Sequence, residues 1–241
     1  MNDGIKNEYA IIEEINMKKY YQLREHWKII IKIIFPFIKD DDLLRAYSFN
    51  DKHAKPDIYI AYKGLKKYIS IKTGTNPSIH QEYYYDFFKF LERNGLDKKI
   101  IKIIYFYHFG ITNKLSNNGL PFTKDEIVDK YKKYIVFANQ EINKNKDLIK
   151  RVIARAVIQG NNTERQIIDY FYYGNNEKGY LLTKNDIYRM VLKEKKEDDK
   201  FIHFGGLIYQ PSGRKVGSRD RNYSRIKWPI LSVKFYIDEI I

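Results

Sequence analysis

The feature that most constrains the fold is the stretch Pro56 to Lys72, in which two runs flank Lys63-Gly64. Pro56-Asp-Ile-Tyr-Ile-Ala-Tyr62 alternates apolar and polar residues, and Leu65 to Lys72 is equally rich in strand formers. Two such runs around a Gly-containing break predict a β-hairpin. Side chains alternate along a strand, so Ser70 and Lys72 project from one face while Ile69 and Ile71 enter the core. With the turn at Lys63-Gly64, antiparallel pairing is expected to set Asp57 opposite about Lys72. An acid and a lysine then meet at the open end of a sheet.

The flanking segments supply the rest of an α/β chain. From Tyr9 to Phe35, Ile11, Ile12, Ile15, Tyr20, Leu23, Trp27, Ile30, Ile31 and Ile34 recur at helical intervals, predicting a long helix that Pro36 ends. Ser78 with Gln81 fits a capping box, so a helix is expected to open there, with Tyr83, Phe87, Phe90 and Leu91 on its apolar face and Gly95 at its end. Lys98 to Phe109 has the content of a central strand. Thr123 with Glu126, Thr163 with Gln166 and Thr183 with Asp186 mark three further helical starts. Strand character returns at Phe201–Gln210 and, beyond a basic Gly-containing loop, at Tyr223–Ile237. The expected architecture is one α/β domain over 1–241, a mixed sheet flanked by helices. Residues 120–195 form a helical insertion, and 201–237 form C-terminal strands around the basic loop.

Composition removes other classes. The 241 residues hold 44 Lys+Arg against 30 Asp+Glu, a net charge of +14, and 44% are hydrophobic and 16% aromatic, which excludes a disordered basic tail. The absence of Cys excludes disulfides, thiolate zinc sites and a cysteine nucleophile, and the five His form no metal-ligand spacing. The N-terminal MNDGIKNEYA lacks a signal-peptide pattern, and the apolar run Trp27–Ile38 is interrupted by Lys28, Lys32 and Pro36. A cytoplasmic protein without a membrane partner is expected. The positive charge favours a polyanionic partner, although the dominance of Ile, Lys, Asn and Tyr points to an AT-rich coding sequence that inflates Lys.

The residues Pro56-Asp57 and Ser70-Ile71-Lys72, separated by a short hairpin, resemble the PD-(D/E)xK nuclease superfamily, the restriction-endonuclease-like group. The resemblance is sharp over about residues 55–83. It implies a restriction-endonuclease-like core in which Asp57 binds Mg²⁺, a second acid joins it, the Ile71 carbonyl is a further ligand and Lys72 positions the attacking water. The chemistry is sound, because phosphodiester hydrolysis needs a hard cation on oxygen ligands and a cationic group near the developing charge.

Ser70 departs from the usual pattern, standing where Asp or Glu is common. Some restriction endonucleases of the superfamily have S-x-K and take the acid from the following helix, which implies Glu82, with Asp86 four residues on as the alternative. The block ending Ile79-His80-Gln81-Glu82 also resembles one uncharacterised bacterial branch in which I/V-H-Q-E recurs, and this favours Glu82. A first-helix acid contributes in many members, and Glu13 or Glu14 is the candidate here. His80 and Gln81 would sit at the start of the expected helix, where free N–H groups favour phosphate.

A second basic feature lies near the C-terminus, where Arg214, Lys215, Arg219, Arg221, Arg225 and Lys227 accompany a single acid, Asp220. Arg is used here in a chain that otherwise prefers Lys, and its planar fork reads phosphate and guanine edges. The resemblance thus implies a Mg²⁺-dependent endonuclease of duplex DNA, a type II restriction enzyme acting as a homodimer and using no nucleotide cofactor. A non-catalytic nucleic-acid-binding protein that keeps the fold, and a structure-specific repair or RNA nuclease, are the alternatives.

Overall fold

The computed structural model describes residues 3–51, 54–74, 78–162, 164–193, 200–212 and 219–229. In chain order these form α1 (Asp3–Ile15), α2 (Glu25–Ile34), β1 (Arg45–Ser48), β2 (Ile58–Tyr62), β3 (Leu65–Lys72), β4 (Ser78–Tyr83), α3 (Tyr84–Arg93), α4 (Lys98–Phe109), α5 (Lys124–Lys144) and α6 (Lys146–Ile153). A π-helical turn (Ala154–Gln159) follows, then β5 (Tyr170–Gly174), β6 (Gly179–Thr183), α7 (Lys184–Lys193), β7 (Ile202–Phe204), β8 (Leu207–Pro211) and β9 (Tyr223–Lys227). The chain divides into two compact units, Met1–Asn76 with Ile158–Ile187, and Pro77–Val157 with Tyr188–Ile241. Among the described residues no helix is long and apolar enough to cross a membrane.

The first unit is a five-stranded sheet, β1-β2-β3-β5-β6, antiparallel except for the parallel pair β3–β5. The predicted hairpin is β2–β3. Lys63 (φ 47°) and Gly64 (φ 82°) both lie in the left-handed region, as a two-residue type I′ turn requires, and Tyr62 pairs with Leu65. So tight a turn leaves no slack in register. Ile58 pairs with Ile69, and the Asp57 N–H donates to the Ile69 carbonyl at 2.9 Å. Asp57 therefore lies across from Ser70, two residues nearer the turn than the expected position opposite Lys72.

The predicted long helix is two helices. Met17 takes a positive φ of 58°, its N–H donates to Leu44, and the chain turns before α2 begins. Both helices bury the expected apolar stripe, including Ile11, Ile15, Trp27, Ile30, Ile31 and Ile34, in a core shared with Ile58, Ile60, Ile69 and Tyr172. The segment 120–195 is not wholly helical, because it contains β5 and β6. Tyr170-Phe171-Tyr172-Tyr173 is an aromatic run suited to a pleated surface, and β3 gives it a parallel partner. Thr163 lies outside the described residues, and residues 164–169 form no helix before β5.

The second unit is built on an antiparallel sheet ordered β4-β9-β8-β7. Here two expectations are overturned. Ser78–Tyr83 is strand β4, paired with β9, and α3 starts only at Tyr84. The S-x-x-Q pattern is present, but Gln81 accepts a cross-strand hydrogen bond from Arg225 Nε at 2.9 Å instead of capping a helix. Lys98–Phe109 is helix α4, not a central strand. Asp97 caps it by accepting from the Lys99 N–H at 2.6 Å, and Gly110 closes it in the left-handed conformation. Ile100, Ile104, Tyr107 and His108 are buried at helical spacing, a period hidden by the β-rich composition. The capping boxes at Thr123/Glu126 and Thr183/Asp186 both form as expected. The expected strand Phe201–Gln210 is a hairpin of β7 and β8, and β9 covers the Tyr223–Lys227 part of the expected Tyr223–Ile237, residues 230–237 lying outside the described residues; Phe204, Tyr209 and Ile226 are buried.

Candidate active site

The hairpin end in the first unit gathers four groups. Asp57, half-buried just before β2, accepts from Ser70 Oγ at 3.0 Å and from the Ile71 N–H at 2.6 Å, both through Oδ2. Its other oxygen, Oδ1, accepts no hydrogen bond from the described residues. The Phe49 N–H donates to the Asp57 carbonyl at 2.8 Å, so its backbone is held on both sides. Burial pushes the Asp57 carboxyl up, against the hydrogen bonds from Ile71 and Ser70 and the charges of Lys55 and Lys72. Lys72, at the end of β3, is half-buried. Burial lowers its ammonium pKa, and Asp57 partly restores it.

The fourth group is Glu8 on α1. Its carboxyl is raised from 4.5 to about 7, first by burial and then by the charge of Asp57. The Asp57 charge thus disfavours ionisation of Glu8, as expected of a carboxyl near a like charge. Glu8 was missed because the helix was expected to begin at Tyr9, whereas it begins at Asp3. The signal was available: Glu8, Ile11 and Ile15 share one helical face at i, i+3 and i+7. Of the expected first-helix acids, Glu13 is exposed and Glu14 is buried in a different role. Glu14 accepts from the Arg24 N–H at 2.9 Å and pairs with Lys18 at 3.2 Å, fastening the turn between α1 and α2.

Glu82 belongs to the second unit and is engaged there. Arg155 grips its carboxylate in a bidentate fork, with Nε at 2.9 Å from Oε1, and His80 Nε2 lies 2.9 Å from the same oxygen. Burial raises the Glu82 carboxyl, but His80 and Arg155 outweigh it and hold it below its ordinary value. The Arg155 guanidinium also lies over the Phe90 ring, 4.6 Å from its centroid. Asp86 is exposed in the first turn of α3, so Glu82 and Asp86 do not share a helical face. His80 and Gln81 lie on β4 and not at a helix N-terminus.

The basic C-terminal residues divide. Arg214, Lys215 and the Arg219 side chain lie outside the described residues. Arg221 is buried, its carbonyl accepting from His108 Nε2 at 2.6 Å, and so does not face a groove in solvent. Arg225 and Lys227 are half-exposed on β9; burial, then the Arg225 charge, lowers the Lys227 pKa.

A hard cation is the group these donors fit. Asp57 offers a carboxylate oxygen that accepts no hydrogen bond from the described residues, Glu8 offers a second carboxylate whose ionisation a cation would favour, and the adjoining Ile71 would supply a carbonyl. Among the described residues no cluster of three or more His, Cys, Asp or Glu forms. Two acids suit Mg²⁺, which keeps several waters, better than a zinc-type cage.

No protein-family model matches the sequence, and no curated protein matches it. In fold the chain is similar to restriction endonuclease MspI, solved in complex with its cognate DNA. The TM-score is 0.52 at 13% sequence identity, covering 92% of this chain and 87% of that one. The chain has a mixed α/β, restriction-endonuclease-like fold.

Proposed function

We propose that the chain is a Mg²⁺-dependent endonuclease of duplex DNA, of the restriction type. The observation that carries this reading is Asp57 held by Ser70 Oγ and the Ile71 N–H at the end of the β2–β3 hairpin, on the strand that Lys72 ends, and the rise of the Glu8 carboxyl under the Asp57 charge supports it. The fold likeness to a DNA-bound restriction endonuclease and the net charge of +14 support it.

In this reading Asp57, Glu8 and the Ile71 carbonyl would hold the ion, with Glu8 in place of Glu82 as the second acid. When bound, Mg²⁺ supplies polarisation of the phosphate and a lowered pKa for its water. The protein supplies orientation. Ser70 Oγ and the Ile71 N–H fix the Asp57 carboxylate by holding Oδ2 and leaving Oδ1 open. Ser70 thus serves the site as a donor to Asp57, not as a metal ligand. Lys72 orients the attacking water and offsets negative charge at phosphorus, with burial holding its pKa below the ordinary lysine value. Glu82 with Arg155 is structural. A homodimer cutting a palindromic site is the arrangement we assign to the restriction reading.

A second reading, binding without cutting, is favoured by Ser70 and by the engagement of Glu82 with Arg155. The two separate when duplex DNA, single-stranded DNA and RNA are incubated side by side with Mg²⁺ or Mn²⁺. Discrete duplex fragments support the restriction reading. Cleavage of only single strands or RNA, or binding with no cleavage of any substrate, overturns it.

A further inference from the structure

The second unit contains a cleft of about 660 Å³ between α4, the loop that follows it and Tyr134 of α5. Its volume falls in the range of small-molecule sites. Its chemistry is one-sided. Lys99, Lys102 and Lys114 line it, and no carboxylate does. None of the three lysines forms an ion pair with an acid among the described residues; Lys99 Nζ lies 5.1 Å from the Phe137 ring centroid, and Lys102 and Lys114 offer their charge to a ligand.

The floor and walls are aromatic and well fixed. Phe106 lies 5.1 Å from Tyr131, centroid to centroid, and Tyr131 lies 6.1 Å from Tyr134, so one ring train runs from α4 into α5. Tyr105 contacts Phe109 at 4.7 Å. Tyr105 and Tyr134 remain 40% and 41% exposed, leaving ring surface open to a ligand. The loop that carries Lys114 is also built. The Phe122 N–H donates to the Gly110 carbonyl at 2.7 Å, and Thr112 Oγ1 accepts from the Leu115 N–H at 3.0 Å. An apolar ligand would not need a lysine-lined wall, and an inorganic anion would not need open rings.

We propose that this cleft is a second ligand site that takes a nucleobase carrying a phosphate, the base against Tyr105, Phe106 and Tyr134 and the phosphate at Lys102 and Lys114. Lysine is a compact, mobile charge suited to phosphate, and base–aromatic stacking tolerates any base. The same chemistry is offered by a free nucleotide and by an unpaired nucleotide of a strand. The site is independent of the cleavage reading, because every group in it belongs to the second unit.

The test is isothermal titration calorimetry of the full chain in EDTA with adenosine monophosphate, adenosine and inorganic phosphate, alongside fluorescence anisotropy with labelled oligodeoxyadenylate. Adenosine monophosphate is expected to bind once per chain, about tenfold or more tighter than adenosine or inorganic phosphate. Lys102→Ala/Lys114→Ala is expected to weaken it about tenfold. Both lysines are exposed, and an unchanged melting curve verifies folding. Tyr134→Leu is expected to weaken adenosine monophosphate but not inorganic phosphate. Lys72→Ala, which would abolish cleavage, is expected to leave this binding unchanged. Oligodeoxyadenylate that is displaced by adenosine monophosphate and weakened by the same variants identifies a strand as the source. Oligonucleotide binding indifferent to the variants identifies the free nucleotide. Equal affinity of wild type and the double lysine variant for adenosine monophosphate overturns the proposal. So does adenosine monophosphate binding no tighter than inorganic phosphate.

Discussion

Replacing Glu8 by Gln reads the cost of the raised carboxyl. In the folded chain the Glu8 carboxyl titrates at about 7, against 4.5 for an unperturbed glutamate. An acid raised on folding destabilises. Below about pH 4.5 both states hold the proton and nothing is lost. As the pH rises through the window from 4.5 to 7, the unfolded chain releases its proton first, and stability falls. Above 7 the loss is complete. A gap of about 2.5 pH units corresponds to about 3.4 kcal/mol for a fully buried group. Glu8 is half-exposed, and solvent screening reduces this to roughly 1–2 kcal/mol. Gln copies the protonated acid and removes the charge beside Asp57. In EDTA, urea unfolding of Glu8→Gln is expected to match wild type near about pH 4.5 and to exceed it by roughly 1–2 kcal/mol near about pH 8. Added Mg²⁺ is expected to stabilise wild type at the higher pH and the variant less. A difference that does not change with pH, or a variant less stable at about pH 8, refutes the assignment of a raised carboxyl to Glu8.

Other consequences follow from the second unit. Glu82→Ala leaves the Arg155 guanidinium buried without its carboxylate and is expected to cost about 3–5 kcal/mol in urea unfolding, with Glu82→Met/Arg155→Met recovering much of it. A cost under about 1 kcal/mol would remove the structural role assigned to the pair. His108, buried between Tyr209 and the Arg221 carbonyl, has its pKa lowered to about 4, chiefly by burial. A base lowered on folding stays neutral while the unfolded chain protonates. Stability is therefore expected to fall as pH drops from 6.5 towards 4, by up to about 3 kcal/mol. An NMR titration that shows His108 charged at about pH 6 contradicts this. A Cβ at Gly110, whose φ is 72°, would lie 2.1 Å from the Phe122 carbonyl oxygen, so Gly110→Ala is expected to destabilise by about 2 kcal/mol or more, read as a lower urea midpoint.

The legible parts of the fold were those written in local chemistry. The alternation of residues 58–62 around Lys63-Gly64 gave the hairpin, and Thr123/Glu126 and Thr183/Asp186 gave helix starts. What misled was composition without period. Ile- and Tyr-rich Lys98–Phe109 reads as strand by content, yet Asp97 and Gly110 cap a helix at its two ends. Ser78–Tyr83 carries a capping pattern that pairing with β9 overrides, and that partner lies more than 140 residues away in sequence. At the site, the placement of Asp57, Ser70 and Lys72 on neighbouring strand ends was readable from spacing, apart from a two-residue error in register. Glu8 was not, since its closeness to Asp57 depends on the docking of α1 and on where that helix begins. The engagement of Glu82 with Arg155, 73 residues away, was also beyond any local pattern.

The most direct test of the central claim is Mg²⁺-dependent cleavage of supercoiled plasmid by wild type, Asp57→Asn and Lys72→Met, with DNA binding measured in parallel in Ca²⁺. The account predicts that wild type cuts and that each variant loses cleavage by about 10²-fold or more while still binding DNA. Cleavage by both variants at the wild-type rate would contradict it, as would a wild type that binds duplex DNA yet cuts with neither Mg²⁺ nor Mn²⁺.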